Sequence, residues 1–150
     1  MEFNSKEIAK LSLNSTIDEL EASMVDNLPL VNCPVKHHFT EGLYCREIFM
    51  PAGTLITSKI HKTQHPYFVL KGKAIVWIDG IEHIIEAPFM GVTEPNTRRV
   101  LYILEDCVWT TCHPNQDNET VEEIEDRIIE KHDNPYLSLE IKERLNNLLN

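Results

Sequence analysis

The sequence predicts an all-β barrel with a helical arm at each end, and three observations lead to that reading. Asp79-Gly80 separates two apolar-rich runs, Lys73–Ile78 and Ile81–Glu86. Asp-Gly is a preferred pair for a type I′ hairpin turn, which needs positive φ at both central positions. Short strand-like runs recur between Leu43 and Cys112 with turn residues between them, a spacing that favours a barrel or sandwich over βαβ units. The stretch Pro51–Gly72, PAGTLITSKIHKTQHPYFVLKG, alternates so that Leu55, Thr57, Lys59 and His61 share one strand face and Ile56, Ser58 and Ile60 the other. A polar row facing inward is what a small barrel needs when its interior is a ligand pocket.

Taken in order, residues 1–27 read as helix. Ile8 and Leu11 give a weak first turn, and Thr16-Ile17-Asp18-Glu19 forms a capping box before Ile17, Leu20 and Met24 at helical spacing. Asn27-Leu28-Pro29 ends it. Leu30–Val35 suits an edge segment, and His37 and His38 precede a turn at Glu41-Gly42. Leu43–Met50 reads as a strand, Pro51-Ala52-Gly53 as a turn, and Tyr67–Leu70 as a strand that stops at Lys71-Gly72. Beyond the hairpin, Phe89–Val92 is a strand and Glu94-Pro95-Asn96-Thr97 a turn. Two further strands, Arg98–Leu104 and Cys107–Cys112, then flank Glu105-Asp106. Thr120-Val121-Glu122-Glu123 is a second capping box, Asn134-Pro135 breaks that helix, and a last helix starts near Leu139. The expected organisation is one domain over 1–150, with the barrel at about 30–113 and helical arms at 1–27 and 119–150.

Composition narrows the function classes. Hydrophobic residues make up 42% and charged residues 25%, ordinary globular values. The formal charge of −10 argues against general nucleic-acid binding, which needs a basic face to neutralise phosphates. No apolar run approaches the roughly 18 residues of a membrane span, and MEFNSKEIAK lacks a signal-peptide pattern, so a cytoplasmic protein is expected. Cys33, Cys45, Cys107 and Cys112 show no CxxC pair and read as buried free thiols of a reducing compartment. The apolar faces of the terminal helices predict a homodimer or higher homo-oligomer.

The central stretch resembles the first cupin motif, G-x5-H-x-H-x3-4-E-x6-G, aligned backwards from Gly72. His61 matches the second His, while Lys59 stands for the first His and His65 for the Glu. Near Pro95 the second motif is similar at the proline, but Thr97 replaces its Gly and Val100 its His. The resemblance covers about residues 37–113. It implies a cupin-like jelly-roll barrel, an oligomer, and often a metal-assisted isomerase, epimerase or dioxygenase. The runs APFMGVTEPNTRRV and EDCVWTTCHPN also resemble small cupin-like proteins of tailed bacteriophages, which would place the chain in a host cytoplasm, with a virion or host-interaction role as a further alternative.

Six residues are expected to line the pocket: Lys59, His61, His65, Tyr67, Arg98 and Tyr102. Lys59 with one inward arginine suits a small anion, carboxylate or phosphate. Arg98 shares a face with Val100 and Tyr102, and Arg99 with Leu101 and Ile103, so a regular strand turns only one of them inward. His61 and His65 are the candidate ligands of a divalent metal (Fe, Mn, Zn or Ni), with His113 or a carboxylate as a completing donor. Anion binding and metal-dependent catalysis both stay open on these residues.

Overall fold

A computed structural model describes residues 5–149, and among these described residues there are seven strands and three helices. The strands are β1 (Val35–Thr40), β2 (Gly42–Met50), β3 (Leu55–Thr57), β4 (His65–Ile78), β5 (Ile81–Glu86), β6 (Phe89–Thr93) and β7 (Arg99–Asn115). All pairing is antiparallel, in the order β1-β2-β7-β4-β5, with β3 added to β7 and β6 to β4. The helices are α1 (Ser5–Asn27), α2 (Val121–Ile128) and α3 (Leu139–Leu149). Among the described residues no helix is long and apolar enough to cross a membrane.

The hairpin at Asp79-Gly80 forms as expected, with φ of 51° and 77° at its two central residues. Two other expectations fail together, for one reason. Lys71-Gly72 does not end a strand, and Glu105-Asp106 does not separate two. β4 and β7 each run through, and their ladder shifts register between Val69 and Ala74, where Lys73 lies opposite Glu105. Gly72 sits there at φ 92°, where a Cβ would overlap the Asp106 carbonyl, so only glycine lets the strands approach. These bulges are corners. The ladder runs from Tyr67↔Thr111 to Ile78↔Arg99, yet the Arg99 guanidinium lies 5.0 Å from the Tyr67 ring. Residues from opposite ends of one ladder can meet only if the sheet folds over on itself, as in a jelly roll.

Within the fold-over lies the core: Met50, Tyr67, Val69, Ala74, Val76, Ile85, Leu101, Ile103, Cys107 and Trp109. Its inward rows follow strand parity, for example Leu101 and Ile103 before the corner of β7 and Cys107 and Trp109 after it. β1 begins where the edge segment was expected to finish and carries His37 and His38 on a strand.

Strand geometry over 55–61 is present only at Leu55–Thr57, where all three residues are half-buried and Ile56, expected on the outer face, packs against the core. At Ser58 the side chain takes over a ladder position, its Oγ accepting from the Arg99 N–H at 2.8 Å. Beyond that point parity no longer fixes direction: Ile60 is buried and Lys59 exposed, the reverse of the expected polar-inward row.

The expected C-terminal arm is divided. Two compact units are present, one spanning 31–131 and one built from the N-terminal segment and the chain from His132 onward. α2 belongs to the barrel unit, where Ile124 and Ile128 pack on Tyr44. Its predicted cap is present: Thr120 Oγ1 accepts from the Glu123 N–H at 3.3 Å. It ends at Ile128, well before Asn134-Pro135, because Ile129 turns extended and bridges to His61. In the other unit, α1 continues through Thr16 rather than starting there. Its Asp18 carboxylate accepts from His132 Nε2 at 2.8 Å, and Asn134 Nδ2 donates to the Asp18 carbonyl at 3.0 Å. Residues 1–4 of the expected arm lie outside the described residues.

Candidate functional site

A line of rings crosses the inner face of the sheet. On β4 the inward row is His65, Tyr67, Val69; on β7 beyond the corner it is Cys107, Trp109, Thr111, His113. Cross-strand pairing sets Tyr44 against His113 and His65 against Thr93. Ring centroids stand 6.1 Å apart for Tyr44 and His113 and 4.5 Å apart for His113 and His65. His61 joins the line 4.7 Å from His65.

His61 reaches this place from a loop held on both sides. Its N–H donates to Thr97 O at 3.3 Å, and its carbonyl accepts from the Asn96 N–H at 2.7 Å. Opposite, the Lys62 N–H donates to Ile128 O at 2.7 Å and the Glu130 N–H to Ile60 O at 2.9 Å. Residues 60–62 are thus pinned between the β6–β7 connection and the end of α2.

The rings are buried, and part of their hydrogen-bonding capacity is unused. His65 and His113 are 3% and 1% exposed. His65 Nδ1 donates to the Thr63 carbonyl at 3.1 Å, which fixes its tautomer and leaves Nε2 with a bare lone pair. His113 Nε2 bonds Thr111 Oγ1 at 3.1 Å. His61 Nδ1, His65 Nε2 and His113 Nδ1 have no partner. Burial, then His65 and Arg99, hold the His61 imidazole down to about 4. Burial, then His65 and His61, hold His113 down to about 3. His65 is lowered chiefly by burial, with Arg99 adding to it and the Thr63 bond opposing. All three rings are therefore neutral at pH 7.

Arg99 supplies the charge. It is 6% exposed, lies over the Tyr67 ring, and donates from Nη2 to Thr93 Oγ1 at 3.0 Å. Its Nε has no partner, and among the described residues it makes no salt bridge. Tyr67 in turn stacks on Trp109, with centroids 5.0 Å apart and planes 12° from parallel.

Of the six expected residues, the structure brings His61, His65 and Tyr67 together. Lys59 does not join them: it is exposed, because the chain has left strand geometry two residues earlier. Arg98 is buried, but its Nε donates to the Ser58 carbonyl at 3.3 Å, and Arg99 is the arginine that reaches Tyr67. Tyr102 is 38% exposed, on the opposite parity from buried Leu101 and Ile103. Arg99, Thr93, Trp109 and His113 complete the site. The signal for Arg99 was its row: it shares parity with Leu101 and Ile103, the most apolar set on the strand.

Two imidazoles sharing one ion through N–metal bonds of about 2.0–2.1 Å, at angles near tetrahedral or octahedral, bring their centroids to roughly 4.5–5.2 Å. The His61–His65 and His65–His113 pairs both meet that spacing. Three donors do not converge, however: among the described residues no group of three His, Cys, Asp or Glu side chains is placed to hold a metal ion. A preformed three-ligand metal centre does not fit.

No protein-family model matches the sequence, and no curated protein matches it. Solved structures do. A salicylate 1,2-dioxygenase from Pseudaminobacter salicylatoxidans superposes with a TM-score of 0.50 at 13% identity, over 66% of this chain and 32% of its own. The KdgF protein of Halomonas sp. gives 0.48 at 17% identity, over 60% and 89%. A cupin superfamily protein from Desulfitobacterium hafniense gives 0.48 at 8% identity, over 62% and 85%. At these identities the likeness bears on the fold alone, an all-β barrel with added helices.

Proposed function

We propose that the inner row binds a small anion, a carboxylate or phosphate, with Arg99 as its anchor. One observation carries this reading: a buried guanidinium with an unbonded Nε that, among the described residues, forms no salt bridge, Asp79 acting on it only from a distance. An unpaired buried charge costs several kcal/mol, which a bound anion would offset. The planar fork of arginine suits two oxygens at once. His61 Nδ1 and His113 Nδ1 are free to turn an N–H toward such a ligand, and the neutral rings add no competing anion.

A thermal-shift series with inorganic phosphate and small mono- and dicarboxylates tests it. A ligand at 100 times its Kd stabilises by about 2.7 kcal/mol, and Arg99→Met abolishes that shift while Lys59→Met leaves it. Failure of every anion to raise Tm, or an equal response in Arg99→Met, overturns the reading.

The second reading is a divalent metal held by His61 and His65, favoured by the bare His65 Nε2 and the ring spacing. Two imidazoles would leave positions on the ion for water or an anion. Elemental analysis of protein purified without added metal separates the two. Stoichiometric Fe, Mn, Zn or Ni that is lost in His61→Ala would replace the anion reading with a metal-dependent one.

A further inference from the structure

Tyr44 and His113 point inward, so the pleat sends their neighbours Cys45 and Cys112 to the opposite face. These cysteines are direct partners in the β2–β7 register, although 67 residues apart in sequence. Their Sγ atoms are 2.9 Å apart. Directly opposed residues on antiparallel strands have Cα atoms about 4.5–5.5 Å apart, inside the span that a disulfide bridges without backbone movement. Both side chains are partly exposed, whereas Cys107 is fully buried and Cys33 packs against the barrel core. All four cysteines are free thiols, as expected, but only Cys107 is fully buried.

We propose that Cys45 and Cys112 form a reversible disulfide site, closed by exchange with a low-molecular-weight disulfide of the glutathione class. In the first step the Cys45 thiolate attacks one sulfur of the small disulfide. The S–S bond breaks, one small thiolate leaves with the electron pair, and Cys45 carries the mixed disulfide. Cys112 then gives its proton to water and attacks the Cys45 sulfur, expelling the second small thiolate. The protein loses two protons and two electrons, and the small disulfide is reduced to two thiols. Burial, then the contact with Cys45, raise the Cys112 thiol. The crosslink would tie β2 to β7 one residue away from Tyr44 and His113 on the site's own strands.

The test uses the full chain under native conditions in glutathione buffers of stepped oxidised-to-reduced ratio, with acid quench, alkylation and peptide mass spectrometry. The Cys45–Cys112 linked peptide should grow with the oxidised fraction and disappear on return to reduced buffer, while Cys33 and Cys107 stay alkylated. Cys112→Ser should stall with glutathione on Cys45, and oxidation should raise Tm in the wild type only. The wild-type chain alone can overturn the proposal. It fails if both cysteines remain alkylated at the most oxidising ratio, if wild type also halts at the mixed disulfide, or if the crosslink forms through Cys33 or Cys107 instead.

Discussion

Two regions of the barrel interior are equally dry and chemically opposite. At the corner of β4 and β7, Val69, Ala74, Ile103 and Cys107 are at most 1% exposed, and their side chains are apolar or, for Cys107, a weakly polar thiol. At the α2 end, His65, His113 and Arg99 are 3%, 1% and 6% exposed, and each keeps a nitrogen without a partner. Since burial is the same, solvent exposure does not explain the difference. Apolar burial stabilises the fold, whereas buried polarity left unbonded costs free energy and persists where something else completes it. The corner is the part that holds the barrel shut, and the ring line is the part that has unspent valence.

The sharpest way to break that contrast is to truncate the corner. Ile103→Ala removes a fully buried side chain among Ala74, Val76 and Leu101, and should lower stability by about 2–5 kcal/mol in urea unfolding. A loss well under 1 kcal/mol would mean that the corner is not the mechanical centre.

Acid acts on the other region alone. The folded values of His61 and His113 are about 4 and about 3, below the ordinary 6.5 of an unfolded histidine, and His65 is lowered as well. Below pH 6.5 the unfolded chain takes up protons that the folded rings refuse, so stability falls as pH falls. The loss proceeds at up to about 1.4 kcal/mol per pH unit for each ring, and levels off only below each folded value. His113→Asn should flatten the pH dependence of the urea midpoint between pH 6.5 and 4. Ile103→Ala should shift the whole curve without changing its slope.

The smallest effects compare two cations. Arg99→Met removes a buried charge that forms no salt bridge among the described residues, along with its bond to Thr93 and its place over Tyr67, and should change unliganded stability by no more than about 1 kcal/mol. Lys59→Ala, at an exposed position, should stay within about ±0.5 kcal/mol. A large loss from Arg99→Met in thermal or urea unfolding would mark that arginine as a structural brace and erase the functional half of the comparison.

Legibility in the sequence followed how local each determinant was. Asp79-Gly80 and the Thr120 cap are decided within four residues, and both formed as read. Lys71-Gly72 and Glu105-Asp106 looked like two strand ends because each carries turn-like chemistry alone. Only their meeting across the ladder makes them one corner. The direction of Lys59 was extrapolated by parity through Ser58, whose hydroxyl ends the ladder there. The choice between Arg98 and Arg99 was decidable from the apolar row that Arg99 shares with Leu101 and Ile103. His113 was recognised only as a completing donor, since its place beside His65 depends on the register of two strands far apart in sequence.

β7 pairs with β2, β3 and β4, and its 17 residues are the last strand among the described residues. During synthesis, then, hairpins such as β1–β2 and β4–β5 can form early, but neither facing layer has its central strand until residues 99–115 have left the ribosome. Until that moment the edges of β2, β3 and β4 that will receive β7 stand open, with Tyr67 and Val69 uncovered. A ribosome pause or a truncation upstream of residue 99 would leave an adhesive intermediate rather than a smaller barrel. The architecture that unites the two layers through shared strands also makes their completion a single late event.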